Sequence, residues 1–170
     1  MMSATRHVNA LACVDQNDVV SLRIICSKAR NHQYNIEELD MYGNTALLKA
    51  CYMGKFECAR ILLDFGADIY AINYFGQNAL TLATYAGHFQ LVLELLRHRT
   101  YQDFNLSSLI PAICVATMEK HTILEDYFKH LDPRGAEDLH TVHGLGVTDL
   151  RQIVNTKLIR KQPQLFQKKY

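Results

Sequence analysis

A 33-residue period runs through the middle of this chain, and it limits the possible folds more than any other feature. The segment that starts at Asp40 recurs at Asn73, with nine identities in its first 24 positions: Gly43/Gly76, Ala46/Ala79, Leu47/Leu80, Ala50/Ala83, Tyr52/Tyr85, Gly54/Gly87, Phe56/Phe89, Leu62/Leu95 and Leu63/Leu96. A unit of this length cannot bury its apolar face alone, so successive copies must lie side by side and share a core.

Each copy reads as a turn, a short helix, a glycine break and a longer helix. Gly43 and Gly76 stand where a hairpin-like turn needs a permissive backbone. Thr45 and Asn78 precede small, closely packing alanines and can cap a first helix by accepting from an orphan N–H. Gly54 and Gly87 end that helix. Phe56, Ala59, Leu62 and Leu63, and then Phe89, Val92, Leu95 and Leu96, form the buried stripe of a second one. Gly66 is placed to stop the first copy in a left-handed cap.

With these features together, DMYGNTALLKACYMGKFECARILLDFGADIYAIN resembles an ankyrin repeat, and NYFGQNALTLATYAGHFQLVLELL resembles a second. The resemblance implies an all-α solenoid of about four helix-turn-helix repeats, closed by a C-terminal capping helix. Two departures stand out. The usual Thr-Pro-Leu-His becomes Thr45-Ala46-Leu47-Leu48 and Asn78-Ala79-Leu80-Thr81, which predicts fewer hydrogen bonds between repeats. The second copy ends in Arg97-His98-Arg99-Thr100 rather than Gly-Ala-Asp, which predicts an irregular exit loop.

The flanking copies are degenerate. Ala112 and Ala116 repeat Ala79 and Ala83, and Ile123, Leu124, Tyr127, Phe128 and Leu131 supply a partner helix. Upstream, Ala12, Ile24 and Ile25 align with Ala50, Leu62 and Leu63 across an insertion of about five residues in the Lys28 to Glu38 loop. The expected organisation is a repeat domain over 1–132, with repeats at approximately 5–39, 40–72, 73–105 and 106–132. An extension over 133–170 then carries a capping helix, with Thr148 as its cap and Leu150, Ile153, Val154 and Leu158 on its apolar side.

Function is expected where stacked turns and first helices face a partner. Carried over from the family, those positions are Met41, Tyr42, Asn44, Tyr52 and Met53 in one copy, and Tyr74, Phe75, Gln77 and Tyr85 in the next. Five of the nine are aromatic and two are methionine, a composition suited to partner binding because rings offer large area at small rotamer cost. The expected function is a non-enzymatic adaptor or scaffold that binds another protein or a peptide. Rings that fold back onto neighbouring turns are the structural alternative.

A competing function lies in the charge distribution. Residues 1–150 hold twelve Lys/Arg against seventeen Asp/Glu, whereas Arg151, Lys157, Arg160, Lys161, Lys168 and Lys169 stand in a tail without acidic residues. Clustered cations attract phosphates, so this tail is the candidate contact for an acidic partner or nucleic acid. Solvation of a terminal helix explains the same residues.

No reaction is expected. The chain has no phosphate-binding loop, nucleophile elbow or dinucleotide fingerprint. His140-x-x-His143 lacks the two further ligands that a four-coordinate metal needs. No cofactor is implied. Five cysteines without a CxxC pair suit reduced thiols in the cytoplasm or nucleus, and no apolar run approaches the length of a bilayer span.

Overall fold

The computed structural model describes residues 9–29, 33–141 and 143–161, which form eleven helices and no strand. Four helix pairs follow the period. They are α1 (Ala10–Gln16) with α2 (Val19–Ala29), α3 (Ala46–Met53) with α4 (Phe56–Asp64), α5 (Ala79–Tyr85) with α6 (Phe89–His98), and α8 (Ala112–Glu119) with α9 (Thr122–Leu131). α7 (Tyr101–Leu106) and α10 (Gly135–Asp138) are short inserts, and α11 (Val147–Lys161) follows the last pair. An inner row runs α1, α3, α5, α8, α11, and an outer row runs α2, α4, α6. One core threads the whole stack. No described helix is long and apolar enough to cross a membrane.

Local chemistry sets the helix ends. The Thr45 side chain accepts from the Leu48 N–H and that of Asn78 from the Thr81 N–H, each satisfying an orphan donor. Gly54 stops α3 at φ +72°, a conformation that costs a residue with Cβ. Its Cα also lies against the His88 imidazole, where a Cβ would come within 2.6 Å.

That imidazole corrects one expectation. The missing Thr-Pro-Leu-His histidines do not leave the repeat interfaces without hydrogen bonds, because His88 Nε2 donates to the Tyr52 carbonyl (3.2 Å) and His121 Nε2 to that of Tyr85 (3.1 Å). Each histidine sits just after an inter-helix turn and reaches back over the glycine of the preceding repeat. Asn78 adds a further bridge: its amide donates to the Phe104 carbonyl (2.7 Å) and to Ser107 Oγ (3.0 Å) while its oxygen caps α5.

The irregular exit loop is also corrected. Thr100 and Asp103 close a capping box, so the chain after α6 turns into α7, with Tyr101 and Phe104 buried. Tyr101 stacks on Phe128 of α9 at 5.0 Å between centroids, 14° from parallel. On α9, Leu124 and Phe128 pack inward, but Ile123 and Leu131 face solvent. On α2, Ile25 is buried and Ile24 exposed.

α11 packs against α8 as the next member of the inner row, which covers the apolar end of the stack with Val147 and Leu150. Thr148 is not its cap. The helix begins at Val147, Thr148 is exposed, and Asp149 Oδ2 accepts from the Gly146 N–H (3.1 Å). Ile153 is exposed, and the side chain of Leu158 lies outside the described residues.

A buried carboxylate ties this cap down. Glu125 on α9 accepts from Lys129 Nζ (2.7 Å) and pairs with Arg151 of α11. Burial alone would raise its pKa, but the hydrogen bonds and charges of Lys129 and Arg151 outweigh that and hold the carboxyl below its usual value. The pair therefore stabilises the fold above the unfolded carboxyl pKa, and the contribution disappears as pH falls through the lower folded value. Glu125→Gln should cost about 1–2 kcal/mol at pH 7, discounted for the half-exposed cations, and flatten the acid limb of stability. Thermal melts between pH 7 and 3 check this, and equal slopes for both proteins would remove Glu125 from the acid response.

Candidate functional site

Seven of the nine residues named for partner contact are exposed: Met41, Tyr42, Tyr52, Met53, Tyr74, Phe75 and Tyr85. Met41, Tyr74 and Phe75 remain 81%, 72% and 62% exposed, far from the buried alternative. They form two rows. At the turn tips, the rings of Tyr42 and Phe75 lie 6.4 Å apart; at the ends of α3 and α5, Tyr52 and Tyr85 stack at 6.2 Å, 25° from parallel. Each ring thus leans on its counterpart in the next repeat, which limits the rotamers it must give up on binding.

The turns that carry the tip rings are held from inside. Asp40 Oδ1 accepts the N–H groups of Tyr42 and Asn44, both at 2.9 Å, and Asn73 Oδ1 accepts those of Phe75 and Gln77, both at 3.0 Å. Neighbouring turns join where the Tyr74 N–H donates to the Tyr42 carbonyl (3.1 Å) and the Leu109 N–H to that of Gly76 (3.0 Å). Gly43, at φ +77°, lies beneath the Tyr74 ring, and a Cβ there would fall 2.6 Å from Cδ1.

Asn44 and Gln77 belong to this internal scaffold. The Asn44 amide donates to Asp40, and its oxygen accepts from Asn73 Nδ2 (3.0 Å), which also donates to Gln77 Oε1 (3.0 Å). Their polar atoms tie the ring-bearing turns together, and both residues remain partly exposed.

The rows extend past the residues found from sequence. Met118 lies 33 residues beyond Tyr85 and is exposed on α8, and Leu109 is exposed at the next turn. Leu39 and Ile72, also 33 apart, are exposed beside the first two turns. Projecting the period forward from Tyr52 and Tyr85 would have found Met118. Leu39 and Ile72 precede the aspartate or asparagine that opens each turn, outside the positions the family resemblance marks for contact.

The basic tail divides. Arg151 is committed to Glu125, which makes it an anchor of the cap. Lys157, Arg160 and Lys161 fall on the α11 backbone but their side chains lie outside the described residues, as do Lys168 and Lys169 altogether. His140 Nδ1 donates to the Asp138 carbonyl (2.6 Å), and His143 is exposed.

All five cysteines are buried. Burial pushes Cys51 up to about 12, and Cys26 and Cys114 to about 11. Such thiols are poor nucleophiles at neutral pH and act as small packing residues.

Comparison with known proteins agrees with this architecture. A family model for ankyrin repeats, three copies, matches residues 8–108. The chain is 68% identical over 148 residues to the DNA replication inhibitor plutonium of Drosophila melanogaster, covering 86% of this chain and 85% of that protein. It is 32% identical over 90 residues to the Notch-regulated ankyrin repeat-containing protein of Xenopus tropicalis, covering 53% and 79%. With human ankyrin repeat domain-containing protein 13B it shares 41% over 75 residues, 44% of this chain and 12% of the relative. Ankyrin repeats are generic protein–protein interaction modules. Its 33-residue period, its two rows of stacked helices and the extent of these matches all have one explanation: the chain belongs to the ankyrin-repeat family.

Proposed function

We propose that this chain is a non-catalytic adaptor that holds a protein partner on its ring-lined inner strip, and that by doing so it restrains DNA replication. The observation that carries the binding part is the continuity of exposed rings across repeats, Tyr42 to Phe75 on turns locked from within and Tyr52 to Tyr85 at the helix ends. Large apolar side chains kept in water on a rigid scaffold favour an interaction site. The replication part rests on the 68% identity with a protein named a DNA replication inhibitor. It implies action in the nucleus, or in the cytoplasm on a partner that controls nuclear events.

Affinity capture from replicating cells, comparing the parent chain with Tyr74→Ala/Phe75→Ala, tests the reading. The double variant should lose at least tenfold of a specific partner, about 1.4 kcal/mol or more, with unchanged helicity. A partner recovered equally by both would move the interface off the turn tips.

A further inference from the structure

The strip offers a partner side chains but few free backbone N–H groups. At the first turn the N–H groups of Tyr42, Gly43 and Asn44 are satisfied by Asp40; at the second, those of Phe75, Gly76 and Gln77 are satisfied by Asn73. The Tyr74 and Leu109 N–H groups join adjacent turns. The Asn44 side chain and Gln77 Oε1 are engaged, and Lys49, the cation of α3, is paired with Asp15 at 2.7 Å. A segment that arrived as an extended strand would bring its own carbonyls against turns whose N–H donors are already taken, which is unfavourable for each buried group. A helix brings its backbone already satisfied.

Spacing points the same way. Packed helices lie about 8–10 Å apart, so the strip repeats at that interval, and seven residues of α-helix rise about 10.5 Å. A helix lying along the stack meets one repeat per heptad: one apolar position on the Tyr52, Tyr85, Met118 row, and one three or four residues on against the turn row of Tyr42, Phe75 and Leu109. The exposed parts of both rows, with Met41, Met53, Leu39, Tyr74 and Ile72, present on the order of 1,000 Å² by ordinary side-chain areas, against about 800 Å² per partner in a stable complex. With the Lys49 charge compensated by Asp15 and the rows apolar, an uncharged stripe is the matching surface.

We propose that the occupant of the strip is an amphipathic α-helix of a partner protein, about two to three heptads long, docked along the stack by an uncharged stripe with period seven. This rests on the strip being the interface. The test is display selection against the full chain from three pools of 21-residue peptides: heptad-patterned helical, alternating period-two, and proline-rich extended. The helical pool should yield the binders. They should gain helical circular dichroism on binding, lose at least tenfold affinity when proline replaces a central residue, and lose at least tenfold against Tyr85→Asp/Met118→Asp. Since aspartate in the inner row can disturb folding, Tyr74→Ala/Phe75→Ala with a matched thermal melt is the second variant and should also lose at least tenfold. Binders from the alternating or proline-rich pool that are sensitive to these variants would overturn the helical occupant and keep the surface. Binders indifferent to both variants would overturn the surface and the inference together. Failure of the helical pool at micromolar concentration also counts against the proposal.

Discussion

Phe128→Ala is expected to lower unfolding stability by about 3–5 kcal/mol, because a fully buried ring leaves a cavity that its surroundings fill only in part. The lost contacts are specific. Phe128 stacks on Tyr101 and touches Tyr127, so it joins α9 to α7, the insert between the third and fourth helix pairs. Stacked repeats are stabilised mainly by their nearest neighbours, so the damage should stay local. Hydrogen exchange should show α7, α8, α9 and α11 opening before α3 to α6. If protection were lost uniformly, the C-terminal repeat would not be a separable part of the stack.

Asn78→Ala should cost about 2–4 kcal/mol, more than the ~1 kcal/mol typical of a lost cap. Two functions disappear together. The Thr81 N–H loses its acceptor, and the Phe104 carbonyl and Ser107 hydroxyl lose the amide that reaches them across the repeat interface, in a site with no solvent exposure. Asn78→Thr restores the residue type that stands at Thr45, keeping a cap oxygen but no donor long enough to bridge. Chemical denaturation of the three proteins should therefore place Thr between Asn and Ala. A Thr variant as stable as the parent would reduce the bridge to an incidental contact. Because Asn78 and Phe128 both act on α7, through Phe104 and Tyr101, the double variant should be less than additive.

Each of the two departures from the family pattern has its own structural answer. Asparagine in place of the capping threonine holds α7 against the third repeat, and α7 occupies the path that a regular exit loop would take. The inter-repeat hydrogen bonds missing from the first helices reappear after the glycines, at His88 and His121. The rings of Tyr42, Tyr74 and Phe75 stand exposed on turns closed by Asp40 and Asn73.

The helix pairs of the repeats, the caps at Thr45 and Asn78 and the exposed ring row could be read from the chain because they depend on neighbours a few residues away, and the same local solution recurs every 33 positions. Thr45, Gly54, Tyr52 and Tyr85 show this: each residue type states its own backbone or surface requirement. The second arm of Asn78, the reach of His88, the stack of Tyr101 on Phe128 and the pairing of Glu125 with Arg151 join residues 26 to 36 apart or separate elements. No local pattern marks them. An asparagine that caps and an asparagine that also bridges are the same letter, and only the docking of the next repeat brings an acceptor within reach of the free amide. The same holds for Asn44, whose side-chain oxygen meets the Asn73 amide only when adjacent turns pack together.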